Sequence, residues 1–191
     1  VTDLADCRDV ETEVYQPAED SRLLADAAIA DLDSPSLALE VGTGSGYVAA
    51  RIAAETGARV VGSDLNPHAC AQARDRGVEA VRADLVGPFR EEAFDAVVFN
   101  PPYLPTDPAD ERDDWMEVAL SGGEDGLDVV EPFVASVGRV LAPGGAVYVL
   151  VSSLAGVDEV VELAAEEGFS AAALRDDSFP FETLTALKLV R

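Results

Sequence analysis

Asn100-Pro101-Pro102-Tyr103 is the stretch of this sequence best suited to do chemistry. It follows an apolar run, residues 94–99, that reads as a buried strand. Neither proline has an N–H and each holds φ at about −65°, so strand pairing and helix both stop there. The result is a stiff loop at a strand end. It offers an amide side chain, backbone carbonyls and an aromatic face. Such a loop can hold a flat group that carries an NH2. The Asn100 Oδ1 and a carbonyl accept its protons, and the Tyr103 ring supports its plane. A Pro-rich turn without chemical purpose is the plainer alternative.

Other segments add to this one. Glu40-Val41-Gly42-Thr43-Gly44-Ser45-Gly46 puts glycines where a backbone must turn tightly and approach a ligand before a helix. The dinucleotide fingerprint would need Gly or Ala at Tyr47, which argues against a nicotinamide or flavin dehydrogenase. Asp64, followed by Leu65, lies where an acid can accept ribose hydroxyls. Asp84 could accept from an adenine amino group, with Leu85 against the base. Taken singly, each Asp reads more readily as a helix cap or a solvated acid than as a binding residue. Chance explains their common register poorly, because each follows a different strand.

The elements that would position them alternate. Helices are predicted over 17–32, 47–56, a segment opened by Asn66-Pro67, 129–141 and 157–167. Strands are predicted over 37–41, 59–63, 78–81, 94–99, 146–152, 170–174 and 183–190. Asn66 reads as an N-cap with Pro67 at the first helical position, and Glu19 and Asp20 suit a positive helix N-terminus. A long loop is expected from Asn100 to about Gly126. Alternating strands and helices imply a mainly parallel, doubly wound α/β sheet, and the last two strands an antiparallel hairpin at one edge. Ligands of such sheets bind at the strands' carboxyl ends.

These motifs resemble class I S-adenosylmethionine-dependent methyltransferases. Residues 14–21, 40–46, 64–67 and 100–103, with the Gly-Gly-x-Asp-Gly run at Gly122, resemble the archaeal and eukaryotic HemK-like enzymes that methylate the glutamine of the Gly-Gly-Gln motif in class I translation release factors. The resemblance covers nearly the whole chain and implies a Rossmann-like, seven-stranded sheet in a single domain, with 1–13 as an N-terminal extension. It lacks the helical N-terminal domain of the bacterial enzymes. It implies that Glu40, Gly42, Gly44, Asp64, Leu65, Asp84 and Leu85 hold S-adenosylmethionine, and that Ser21 helps bind its methionine end. Asn100 would touch cofactor and substrate, with Pro101, Pro102 and Tyr103 completing the clamp. A first-turn helix role is the alternative for Ser21. The resemblance further implies a small zinc-binding activator protein as partner, with the apolar run 78–81 as a possible docking edge. A core-facing role fits those residues equally. Other readings remain open: an adenine N6-methyltransferase of DNA or RNA, and a cofactor-binding scaffold without catalysis.

Composition narrows the field. The chain has 191 residues, 48% of them hydrophobic, which suits one folded domain. No apolar run is long enough to span a bilayer, and the acidic start carries no signal-peptide core, so the expected location is cytoplasmic. Cys7, Cys70 and the lone His68 are too few for a structural zinc site or a disulfide framework. His68 follows Asn66-Pro67 and reads as a first-turn helix residue, leaving no evident general base. The net charge is −24, from 37 acids against 13 bases, with Lys188 the sole lysine. The acids are dispersed, and a self-repelling excess of this kind is screened in molar salt, where the Debye length is about 3 Å. The composition resembles that of proteins from salt-loving archaea; a specific basic partner is the competing reading. No basic stripe with interleaved aromatics suggests direct nucleic-acid binding.

Overall fold

The computed structural model describes residues 13–107 and 114–191. Its strands are β1 (Leu37–Val41), β2 (Arg59–Asp64), β3 (Glu79–Arg82), β4 (Phe94–Phe99), β5 (Leu141–Ser152), β6 (Ser170–Ser178) and β7 (Thr183–Val190). Its helices are α1 (Glu19–Asp31), α2 (Tyr47–Thr56), α3 (Pro67–Asp75), α4 (Trp115–Leu120), α5 (Val130–Val137) and α6 (Val157–Glu166). The strands form one seven-stranded sheet in the order β3-β2-β1-β4-β5-β7-β6. Neighbours from β3 to β5 are parallel, while β7 runs antiparallel to both β5 and β6. The expected sheet and closing hairpin are therefore present.

Strand alternation divides the core into two layers. Ala38, Val98 and Leu150 face α1, α2 and α3, where Leu24, Ile52 and Ala73 meet them. Leu39, Val97, Phe99 and Val149 face the other way, onto Phe133 and Val134 of α5 and Val160 of α6. The central strand β4 is apolar on both faces, with Ala96 and Val98 on one and Val97 and Phe99 on the other, as a sheet covered on each side requires. One polar clamp ties the end of α1 to the sheet. Asp31 accepts from the Tyr148 hydroxyl at 2.7 Å and lies 2.6 Å from the Lys188 ammonium.

Several boundaries differ from the sequence reading. The first helix begins at Glu19 rather than at residue 17. α5 ends at Val137, and Leu141 is already a strand residue paired with Phe94. Residues 142–145 then bulge out before Ala146 rejoins the ladder opposite Ala96. β6 continues to Ser178 because an edge strand with no buried position tolerates Arg175, Asp176 and Asp177. The predicted loop contains α4, whose Asp114 side chain accepts from the Glu117 N–H at 2.8 Å. β3 is the opposite edge, and its Val81 is 40% exposed. Cys7 and the predicted N-terminal extension up to residue 12 lie outside the described residues. No helix among the described residues is long and apolar enough to cross a membrane.

Candidate active site

Parallel register places the ends of β1, β2, β3 and β4 at one edge of the sheet. Beyond β1 the chain turns through Gly42, Gly44 and Gly46 at φ of +62°, +50° and +77°. These are left-handed values that side chains disfavour. Gly46 also has no room: a Cβ there would lie 2.9 Å from the Ala73 Cα. The Thr43 hydroxyl donates to one oxygen of the Glu40 carboxylate, and the Ala49 N–H donates to the same oxygen at 3.0 Å. Burial pushes the Glu40 carboxyl up to about 8; the Thr43 and Ala49 hydrogen bonds oppose the rise and Asp64 adds to it.

Asp64 ends β2 and organises two turns. Its Oδ2 accepts from the Gly44 N–H and its Oδ1 from the Asn66 N–H, both at 2.8 Å. Burial raises its pKa against those bonds. Asn66 caps α3 as expected, accepting from the His68 N–H at 2.9 Å. His68 itself turns to Glu13, 3.1 Å from its carboxylate, away from the cavity lining. Asp84 and Leu85 follow β3; Leu85 is left-handed at φ 45° and half-buried, while Asp84 is exposed.

The tetrad follows β4. The Asn100 Nδ2 donates to Asp20 Oδ2 at 2.9 Å, whereas the Asn100 Oδ1 is buried without a hydrogen-bond partner. Asp20, only 5% exposed, also accepts from the Tyr15 hydroxyl at 3.1 Å and the Ser21 hydroxyl at 3.1 Å. The Tyr103 phenol is held far above its usual pKa by burial and by the Asp20 and Glu182 charges, so it stays a neutral ring. Backbone bonds brace the tetrad from behind. Leu104 N–H donates to Leu120 at 3.0 Å, Gly122 N–H to Leu104 at 2.9 Å and Thr106 N–H to Gly123 at 2.8 Å.

These strand ends enclose one cavity of about 310 Å³. Every predicted site residue lines it: Ser21, Glu40, Gly42, Gly44, Asp64, Leu65, Asp84, Leu85, Asn100, Pro101, Pro102 and Tyr103. Sequence reasoning missed Tyr15, Asp20, Trp115 and Val118, which line it too. Asp20 looked like a helix-terminus acid, and α4 looked like loop. Only the Asp114-x-x-Glu117 capping pattern could have signalled α4. Acceptors dominate the polar wall, and Leu65, Leu85 and Val118 supply apolar surface. This suits a ligand with hydroxyl and amino donors, positive charge and a flat ring, which are the features of S-adenosylmethionine.

The doubly wound sheet with its inserted antiparallel strand, the glycine turn and the strand-end acids define a class I S-adenosylmethionine-dependent methyltransferase. A methyltransferase-domain family model matches residues 38–123. A Methanocaldococcus jannaschii protein named as a protein N5-glutamine methyltransferase is 32% identical, over 94% of this chain and 92% of its own length. Human methyltransferase HEMK2 is 33% identical, over 94% and 91%. The solved E. cuniculi Mtq2-Trm112 complex, described as responsible for methylating the eRF1 termination factor, superposes with a TM-score of 0.79 at 30% identity, covering 94% of this chain and 99% of that one. The chain belongs to the HemK2-type protein N5-glutamine methyltransferase family, and S-adenosylmethionine is its cofactor.

Proposed function

We propose that the chain methylates the N5 nitrogen of a protein glutamine, that of the Gly-Gly-Gln motif in an archaeal class I release factor. The observation that carries this reading is the buried, unpartnered Oδ1 of Asn100, a residue that lines the cavity. A buried acceptor left without a donor costs about 1–3 kcal/mol, and a substrate NH2 would remove that penalty. Glu40, Asp64 and Asp84 would take donors of the cofactor, with Leu65 and Leu85 against its ring, Gly42 and Gly44 giving close backbone approach, and Ser21 near its methionine end. When bound, the cofactor supplies an electrophilic methyl group on a sulfonium.

The protein's own task is orientation. An amide nitrogen is a poor nucleophile because its lone pair is shared with the carbonyl. Asn100 Oδ1 and the Pro101 carbonyl accept the two N–H protons and fix the NH2 plane. Pro101 and Pro102 keep those acceptors rigid, and Tyr103 packs against the amide. Fixing the geometry and stabilising the charge that develops on the NH2 are the two contributions. Among the described residues no side chain is assigned as general base: Tyr103 is a neutral phenol, His68 is not part of the cavity lining, and the proton leaves late to water or Asn100.

Residues 14–191 act as one catalytic domain in a cytoplasmic, high-salt setting. The proposed partner is a small zinc-binding activator seated on the exposed β3 edge; that there is a partner at all is supported by the complex in which the E. cuniculi relative was solved. Methyl transfer from labelled cofactor, run at molar salt with and without activator on release factor, tRNA and DNA, tests the proposal. Labelling of the release-factor glutamine is expected, and Asn100→Ala should abolish turnover even with the cofactor at saturation. Labelling of nucleic acid alone, or an Asn100→Ala enzyme with normal turnover, would sink it.

A further inference from the structure

We infer that Asp20 is the positioning residue that sets the polarity of the Asn100 amide. The inference rests on the reading that Asn100 Oδ1 accepts from the substrate NH2. An asparagine amide is nearly symmetric in shape, so the walls of a site cannot choose which end faces the substrate. Its hydrogen-bond partner must choose. A carboxylate only accepts, so the end facing Asp20 must be the donor Nδ2. That bond is 2.9 Å long and joins the first turn of α1 to the end of β4. It leaves the acceptor Oδ1 as the free end of an amide whose residue lines the cavity, buried and without a partner.

Asp20 is itself fixed so that it cannot swing away. Its Oδ1 takes the Ser21 N–H and the Ser21 hydroxyl, and its Oδ2 takes the Tyr15 hydroxyl beside Asn100. Every one of these partners is a donor. Asp20 and Ser21 are buried and Tyr15 and Asn100 half-buried, an environment where a charge-assisted bond is strong and a mispaired one costly. Three separate chain segments thus converge on one carboxylate, whose effect on catalysis passes through Asn100.

Exchange of the two groups tests this. In Asp20→Asn the new amide keeps its oxygen on the Ser21 N–H and turns its NH2 toward Asn100. The Asn100 amide then turns over and shows a donor to the substrate, and kcat should fall about a hundredfold with cofactor Kd unchanged. Asn100→Asp alone sets two carboxylates face to face and should be similarly poor. The double variant, Asp20→Asn with Asn100→Asp, restores a donor facing an acceptor and leaves an oxygen toward the cavity. It should recover at least about tenfold over either single variant, whereas a merely structural Asp20 predicts that the losses add. The second readout needs no activity. The Asn100 side-chain NH2 resonances, identified by their loss in Asn100→Ala, should exchange slowly with solvent in the wild type and fast in Asp20→Asn. Additive losses in the double variant, or a freely exchanging Asn100 NH2 in the wild type, overturns the inference. If the wild type methylates no amine at all, the functional proposal fails while the exchange measurement still decides the Asp20 contact.

Discussion

Replacing Gly126 with alanine should separate the placing of Tyr103 from the hold on the cofactor. Gly126 is buried at φ +82° behind the tetrad. A Cβ there would lie 2.7 Å from the Tyr103 carbonyl oxygen and 2.9 Å from the Ala155 Cβ. Two effects add. A left-handed conformation costs an L-residue about 1–2 kcal/mol. Forcing a methyl group against backbone costs about 1–3 kcal/mol more. Gly57 separates them, because it sits at φ +75° with nothing within 4 Å of its would-be Cβ. Gly57→Ala therefore measures the conformational cost alone. For a chain of this size each kcal/mol lowers the melting temperature by about 2–4 °C. Gly57→Ala should lose about 2–8 °C and Gly126→Ala about 4–20 °C, the excess being the clash. The clash falls on the carbonyl of Tyr103, so that residue must move. A shift of about 1 Å in a positioning group can cost about a hundredfold in rate. Thermal melts of both variants, with kcat and cofactor Kd for each, are the assay. The expected pattern is a low kcat and unchanged cofactor Kd in Gly126→Ala only. Equal melting shifts with unchanged kcat would refute the steric reasoning.

Three further outcomes are expected. With its carboxyl raised to about 8, Glu40 keeps a proton in the folded protein that the unfolded chain, ordinarily at 4.5, has released. Its contribution to stability therefore declines as pH rises from 4.5 to about 8, and Glu40→Gln should gain urea resistance over the wild type at high pH and none below that window. Burial alone would raise Asp31, but hydrogen bonds from Lys188 and Tyr148 outweigh it and hold the group low. That stabilisation is present above the unfolded pKa and lost as pH falls through the folded one, so Lys188→Met should melt about 2–4 °C lower at neutral pH, with the gap closing below about pH 4. With a net charge of −24, raising KCl from tenth-molar to molar should raise the melting temperature steadily, and a flat salt response would remove the high-salt reading.

The strand ends were legible because each central strand is an apolar run cut off by a residue that cannot continue it. Gly42 after Val41 and Asn100 after Phe99 announce themselves in sequence, while Asp64, read as following its strand, is the last residue of β2 and pairs with Arg82. Long-range pairing does not. Asp20 meets Asn100 across 80 positions, and nothing local distinguishes it from Glu19, which points at solvent beside Arg22. α4 was hidden for another reason: it has no buried residue, so the pattern of apolar positions that betrays a core-facing helix is missing. The end of α5 was misread because Val140 and Leu141 extend its apolar pattern. In fact Gly138 closes the helix, and the Val140 carbonyl accepts from the Ala93 and Phe94 N–H groups. β6 outran its apolar stretch because an edge strand demands little of its side chains.

The order of strands also bears on how the chain is made. β7 follows β6 in sequence yet lies between β6 and β5 in the sheet. Until residues 183–190 have been synthesised, β6 has no neighbour, and the backbone of β5 from Ala146 to Ser152 has no partner on that side. An unpaired apolar edge of that kind is a template for aggregation. A chain stopped before Thr183 would keep every cavity-lining residue and still expose that edge. Premature termination here should therefore yield an insoluble product that still carries every cavity-lining residue.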